Sequence, residues 1–151
     1  MVNARSGNAL STALSAVTSG TDNAFDKTVS TGLATVTEGS AVTGVPIFNG
    51  REMIVPVRGV INQQYVTVSV TAVTSTDGSS GGSGSIRVGL LAGDVNQNRA
   101  VTLSDLGQVN AQIAQFVTGA NFLKDVNASG TLSLSDKGAA NAQLTKTLPA
   151  P

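Results

Sequence analysis

Cysteine, histidine and tryptophan are absent from this 151-residue sequence, and Tyr65 is its one tyrosine. Without cysteine or histidine, the chain can form no disulfide, thiolate nucleophile, Ser-His-Asp triad or Cys/His zinc site. Aromatic residues make up only 3% of the chain. A carbohydrate-binding function stays open on Tyr65 alone, because sugar-binding surfaces usually use exposed aromatic rings.

Charge is also scarce, at 12% of residues, and nine basic side chains balance nine acidic ones. The sequence has no basic stripe of the kind that binds nucleic acid, so a nucleic-acid partner is not expected. It also has no apolar stretch that reaches the roughly 18 residues of a membrane span. The N-terminal residues lack a charged region followed by an apolar core, so no signal peptide is expected. We expect a fragment of a longer secreted or surface protein, with no small-molecule substrate.

Residues 1–92 carry the short alternating patterns typical of antiparallel strands. Val66, Val68, Val70 and Ala72 share one face of the cleanest predicted strand, Tyr65–Val73. The other predicted strands are Ala9–Val17, Thr28–Val36, Glu52–Val60 and Ile86–Leu91. Turn signals between them favour a β-sandwich that resembles immunoglobulin-like or fibronectin-like modules.

Two features of this part leave alternatives. Pro56 predicts an edge strand or a bulge within 52–60. The Gly/Ser tract at 77–84 fits either a mobile hairpin loop or an interdomain linker. We favour the hairpin, because a strand-like segment follows the tract directly.

The pattern changes after Gly93, where a duplication begins. When the sequence is aligned with itself so that Asp94 falls on Asp125, ten of the 20 positions from 94 to 113 are identical. Apolar residues recur at helical spacing after each aligned loop, which predicts helices over Ser104–Phe116 and Ser135–Thr145. An internal repeat of one loop–helix unit follows from this match.

Each copy contains twelve residues that suit a hard cation, the first loop at 94–105 and the second loop at 125–136. Ca²⁺ takes six to eight oxygen ligands, which a loop can supply from positions 1, 3, 5 and 12 and from the carbonyl at position 7. The candidate metal ligands are Asp94, Asn96, Asn98, Ala100, Asp105, Asp125, Asn127, Ser129, Thr131 and Asp136. We therefore predict two Ca²⁺ sites.

A plainer interpretation exists for either loop alone, since Asp-x-Asn-x-Asn sequences also form ordinary Asx turns. Asn127-Ala128-Ser129 matches a glycosylation sequon as well. Two copies with the same spacing, each followed by a predicted helix, favour the metal sites over both alternatives.

These loops end in Asp where a standard EF-hand loop ends in Glu, and no predicted helix precedes the first one. The segment 93–96 (Gly-Asp-Val-Asn) and the repeated Leu-Ser-Asp at 103–105 and 134–136 resemble the type I dockerin family. The resemblance implies a non-catalytic module of a bacterial protein, extracellular or at the cell surface, that folds on Ca²⁺ and docks onto a cohesin-like protein domain. The expected fold class is α+β in two modules, an antiparallel β-sandwich at 1–92 and a small all-α pair of loop–helix motifs at 93–151.

The resemblance also implies a partner-binding surface at equivalent helix positions of the two copies. These residues are Leu103, Ser104, Asn110, Ala111, Gln115, Leu134, Ser135, Asn141, Ala142 and Lys146. A plain solvated helix face is the alternative for them. One departure concerns position 6 of the first loop, where Arg99 replaces the glycine that normally makes the sharp turn.

The sequence is compatible with three functions. The first is calcium-dependent docking, and the second is a structural role in which calcium only stiffens a cell-surface protein. The third is an enzyme with two carboxylates, such as a glycosidase, which is disfavoured because four of the nine acids are assigned as metal ligands.

Overall fold

The computed structural model describes residues 27–150, together with the backbone of a two-residue strand, β1 (Leu14–Ser15). The rest of the strand predicted over Ala9–Val17 lies outside the described residues. Contacts between residues group the described part of the chain into two compact units. The first contains residues 27–61 and Tyr65–Val88, and the second contains Asn62–Gln64 and residues 89–150.

The first unit is built from small antiparallel sheets. Its further strands are β2 (Val29–Glu38), β3 (Val42–Thr43), β4 (Ile47–Asn49), β5 (Glu52–Val55), β6 (Val57–Arg58), β7 (Gln64–Ser75) and β8 (Gly82–Leu90). They form sheets in the orders β1-β5-β4, β2-β7-β8 and β3-β6. Pro56, which has no N–H to donate, separates β5 from β6 and so divides one predicted strand between two sheets. The Gly/Ser tract connects the neighbouring strands β7 and β8, so the predicted hairpin is confirmed, but the loop is shorter than predicted because residues 82–84 already belong to β8.

Strand β7 supplies one face of the core, but its buried face changes side part of the way along. Val66, Val68 and Val70 are buried as predicted, whereas Ala72 is exposed and adopts a φ of 52°. After it the buried residues are Val73 and Ser75. The pairing with β2 shifts register at the same place, which identifies a β-bulge with one extra residue. The strict alternation predicted from the sequence therefore fails at Ala72.

An ion pair lies on the more exposed face of the sheet formed by β2, β7 and β8. Arg87 donates two hydrogen bonds to the Glu38 carboxylate, both at 2.7 Å, and Thr67 donates a third at 2.6 Å. The Arg87 guanidinium also stacks 3.8 Å from the Tyr65 ring centroid. Arg87 thus covers one face of the Tyr65 ring, on which the carbohydrate-binding alternative rested.

The same contacts lower the pKa of Glu38 from 4.5 to about 2, mainly through the hydrogen bonds from Arg87 and then Thr67. Because the folded-state pKa is depressed, the pair stabilises the fold above the ordinary carboxyl range, and this contribution is lost as pH falls through about 2. A carboxyl ¹³C NMR titration should show a Glu38 midpoint well below 4.5. Arg87→Gln should return the Glu38 midpoint towards 4.5, and an unchanged midpoint would contradict the assigned cause.

The second unit contains two α-helices, α1 (Leu103–Asn110) and α2 (Leu134–Asn141), and a short 3-10 helix at Phe122–Lys124. Each α-helix begins after a capping hydroxyl, from Thr102 or Ser133. Between the helices lies a small core that consists of Val95, Val109 and Ala140, with Leu106 and Val126 packed against it. In the described residues no helix is long and apolar enough to cross a membrane.

The fold class predicted from the sequence is wrong, because the described chain is β-rich with two short helices and its C-terminal part is not an all-α pair. Each α-helix has eight residues, where the sequence predicted 104–116 and 135–145. Turns follow both helices and reach residues with positive φ, Ala114 at 67° and Thr145 at 71°. Beyond these residues the backbone is extended, and it forms β-bridges from Phe116 to Thr131 and from Thr147 to Ala100.

Candidate metal centre

Both loops fold into the same tight curl. Residues at position 4, Gln97 and Ala128, have φ values of 62° and 56°, and residues at position 6, Arg99 and Gly130, have φ values of 73° and 85°. Left-handed conformations at both positions turn the backbone inwards twice within a few residues. The side chains at positions 1, 3 and 5 are then drawn to the inside of the turn.

Aspartate at position 1 anchors the curl in each copy. The two carboxylate oxygens of Asp94 accept hydrogen bonds from the N–H groups of Asn98, at 3.0 Å, and Arg99, at 2.8 Å. In the second loop, Asp125 accepts equivalent bonds from Ser129 and Gly130, both at 2.9 Å. The geometry of one copy thus repeats in the other at the positions that the sequence alignment pairs.

Positions 3 and 5 continue the pattern. The Asn96 Oδ1 accepts from the Asn98 N–H at 3.0 Å, and the Asn98 Oδ1 accepts from the Ala100 N–H at 3.0 Å. In the second loop Asn127 bonds to the Ser129 N–H at 3.0 Å, while the shorter Ser129 side chain reaches the Thr131 N–H at 3.4 Å. The serine hydroxyl is therefore the weakest of the candidate ligands.

Position 12 closes each loop from the first turn of the following helix. Asp105 is fully buried, and its Oδ1 accepts from the N–H groups of Val95, at 3.0 Å, and Asn96, at 3.2 Å. Its Oδ2 accepts from the backbone N–H and the hydroxyl of Thr102, both at 2.9 Å. This carboxylate joins the start of the loop to the start of α1.

Asp136 has the same position in the second loop. It is fully buried and accepts from the Asn127 N–H at 3.3 Å and from the Ser133 N–H at 2.9 Å. None of the ion pairs formed by the described residues includes Asp105 or Asp136. Two buried carboxylates thus have hydrogen bonds but no protein cation beside them, which is costly for an ionised group.

The donor set of each loop suits Ca²⁺ better than a softer metal, because every candidate ligand atom is an oxygen. Each loop has two carboxylates, so one Ca²⁺ would neutralise it. No group of three or more histidine, cysteine, aspartate or glutamate side chains occurs between residues 27 and 150 that could hold a metal on its own. The ten sequence-predicted ligands lie on the two curls, five in each, and amide, hydroxyl and carbonyl oxygens would complete the coordination.

Arg99 has a left-handed backbone, with φ of 73°, where the second loop has Gly130. Left-handed geometry costs a residue with a Cβ roughly 1 kcal/mol. We expect Arg99→Gly to stabilise the protein by up to about 1 kcal/mol in denaturant unfolding, the gain being reduced by the entropy of glycine in the unfolded chain. The matched change Gly130→Ala should destabilise by a similar amount, and a loss of stability in both variants would contradict this assignment.

The ten predicted partner-binding residues are accessible. Nine are exposed, and Lys146 is half-buried with its ammonium donating to the Gln143 side chain at 2.7 Å. Leu103 and Leu134, the first residues of α1 and α2, are 74% and 71% exposed. Asn110 accepts a hydrogen bond from Lys137 at 2.9 Å, so part of this surface connects the two copies.

Sequence reasoning missed two groups that shape the site. Thr102 and Ser133 cap the helices and bind the closing aspartates, a role that the Thr/Ser-x-x-Asp spacing could have indicated. Asn62 lies far away in the sequence, yet its side chain accepts from the Ala92 N–H at 2.7 Å and donates to Gln143 at 2.9 Å. No local pattern around Asn62 indicates that contact.

The comparisons with protein-family models, with curated proteins and with solved structures find no match to this chain.

Proposed function

We propose that the C-terminal part of this chain is a non-catalytic, calcium-binding interaction module that docks a secreted or surface protein onto a cohesin-like partner. The observation that supports it best is the repetition of one hydrogen-bonded curl in the two aligned loops. An ordinary Asx turn needs one such side-chain contact, whereas in each loop the side chains at positions 1, 3, 5 and 12 all accept hydrogen bonds from backbone N–H groups of the loop. The resemblance to the dockerin family is part of the proposal.

Buried charge supports the metal half of the proposal. Asp105 and Asp136 are fully inaccessible to solvent, and between residues 27 and 150 they have hydrogen bonds but no ion pair. When bound, Ca²⁺ would supply the positive charge and would link oxygens from opposite ends of each loop. With two carboxylates per loop the affinity is expected in the modest range that extracellular calcium saturates.

Calorimetric titration of the whole chain with Ca²⁺ tests this half. We expect two sites in the wild type, and one measurable site in each of Asp94→Asn and Asp125→Asn. Asp77→Asn serves as the matched control, because Asp77 is an exposed carboxylate outside both loops. Calcium should also raise the melting temperature, by binding the folded state alone. Absence of heat together with an identical melting curve in chelator would overturn the proposal.

The exposed leucines support the partner half. Leu103 and Leu134 occur at equivalent positions of the repeat, so the two copies present the same apolar side chain to solvent. We expect a cohesin-like domain to be retained on the immobilised protein only with calcium present, and the double change of both leucines to aspartate to abolish retention. Leu33→Asp, at a 64% exposed leucine of the first unit, is the control.

A structural role without a docking partner is the second candidate. It is favoured by the β-bridges that join each loop to the segment after the other helix, because a cation in either loop would stiffen both copies. This role requires the calcium-dependent rise in melting temperature but no retention of any cohesin-like domain. Retention that depends on Leu103 and Leu134 would therefore decide for docking.

A further inference from the structure

The segments that follow the two helices exchange partners. The first tail (residues 111–117) bonds to the second loop, where the Ala114 N–H donates to the Leu132 carbonyl at 2.8 Å. The second tail (residues 142–148) bonds to the first loop, where the Thr145 N–H donates to the Val101 carbonyl at 3.0 Å. Both bonds connect the same positions of the repeat, so each copy holds the loop of the other.

The second tail makes further bonds that orient a candidate ligand. The Val101 N–H donates to the Lys146 backbone carbonyl at 2.8 Å, and the Leu148 N–H donates to the Arg99 backbone carbonyl at 2.9 Å. These two bonds lie on either side of the bridge from Ala100 to Thr147. In an antiparallel pair, the residue between two such bonds directs its own N–H and carbonyl away from the partner strand. The Ala100 N–H accordingly donates into the loop, to the Asn98 Oδ1 at 3.0 Å.

The carbonyl at position 7 faces the loop for the same reason. In the second loop this direction is visible, because the Ser129 hydroxyl donates to the Thr131 carbonyl at 3.2 Å. Thr131 forms the bridge to Phe116 of the first tail. Each tail therefore fixes the backbone that would present the carbonyl ligand of the opposite site.

We infer that the two calcium sites are coupled, with occupancy of either loop ordering the other through the exchanged tails. The closing carboxylate of Asp136 joins the second loop to the start of α2. The tail that follows α2 then bonds to the first loop through the N–H groups of Thr145 and Leu148. From the first loop, the connection runs through Asp105 into α1 and to the bond of Ala114 with Leu132. The inference rests on the proposed function, since it assumes that both loops bind Ca²⁺.

Site-resolved NMR titration of the full chain with Ca²⁺ tests the coupling, with the amides of Arg99 and Gly130 as reporters of the two loops. Weakening the second site by Asp125→Asn should reduce affinity at the first site at least about fivefold, and Asp94→Asn should reduce affinity at the second site by the same factor. Leu148→Pro removes the N–H that bonds to Arg99 but permits an extended tail. In this background, each Asp→Asn change should reduce the affinity of the opposite site by a smaller factor. Leu148→Ala, which keeps the N–H, should leave both factors unchanged.

Hydrogen exchange gives a readout that needs no variant of the tail. In Asp125→Asn, filling the first site alone should slow exchange of the Leu148 amide, which lies in the other copy. Two occupied sites with coupling factors near one, or Leu148 exchange that ignores calcium, would overturn the coupling and leave the calcium sites standing. Coupling that persists unchanged in Leu148→Pro would overturn the route through the tails. No calcium binding by the wild type would overturn the proposed function and this inference together.

Discussion

Replacing Asp105 with alanine is expected to destabilise the second unit by about 3 kcal/mol or more, even in the absence of metal. The change removes a fully buried carboxylate that accepts from the N–H groups of Asn96 and Thr102, and it removes one of the two acceptors of the Val95 N–H, which also donates to the Gly93 carbonyl at 3.0 Å. Each unsatisfied buried donor costs about 1–3 kcal/mol, although relaxation and entering water will recover some of that cost. The carboxylate is thus a structural group as well as a candidate ligand.

Urea unfolding in chelator measures the structural part of this loss, and the same experiment in Ca²⁺ adds the part that comes from the metal. Ser104→Ala is the control, because Ser104 is the exposed neighbour and its change should stay within about 0.5 kcal/mol. Asp136→Ala should repeat the loss, since Asp136 has the same burial and capping role. If Asp105→Ala costs no more than Ser104→Ala in chelator, the assignment of the closing carboxylate is wrong.

Gly93→Ala is expected to cost about 2–4 kcal/mol. Gly93 has a φ of 90°, where a side chain adds strain of roughly 1–2 kcal/mol. A Cβ there would also lie 3.3 Å from Val101 Cγ1 and 3.4 Å from the Ala140 backbone. These neighbours belong to the buried centre of the unit and have little room to move, so overpacking adds about 1–3 kcal/mol.

Gly107→Ala makes a matched comparison for that variant. Gly107 lies within α1, and a Cβ there would meet no atom within 4 Å. Alanine at an exposed helix position should therefore stabilise by up to about 1 kcal/mol. The same substitution is thus expected to have opposite signs at two glycines, and thermal unfolding of both variants checks it. Equal effects at the two positions would contradict the reasoning from φ and space.

The loops could be located from the sequence because their information is local. Positions 1, 3, 5 and 12 are fixed by spacing within a single loop, and the second copy of that spacing provides an internal control. The same holds for much of β7, where alternating valines give the buried face. The bulge at Ala72 escaped prediction because a small residue tolerates either face of a strand and gives no signal of its own.

Helix length could not be predicted in the same way. The apolar spacing of Leu106, Val109 and Ile113 continues to Phe116, which suggested one long amphipathic helix. Phe116 is 91% exposed in the structure, and its backbone pairs with Thr131 of the other copy. Competition between a further helical turn and a β-bridge depends on where the second copy packs, and periodicity within one segment carries no information about that.

The exchange of tails has a consequence for the smallest piece of this chain that can stand alone. One copy separated from its sister would keep its loop and helix but lose the strand that pairs with its loop, so Val101 or Leu132 would lose the bonds to its backbone groups. Because the exchange is reciprocal, two identical single copies could satisfy one another as a symmetric homodimer. Such a dimer, later joined head to tail by gene duplication, is the simplest ancestor that this repeat implies.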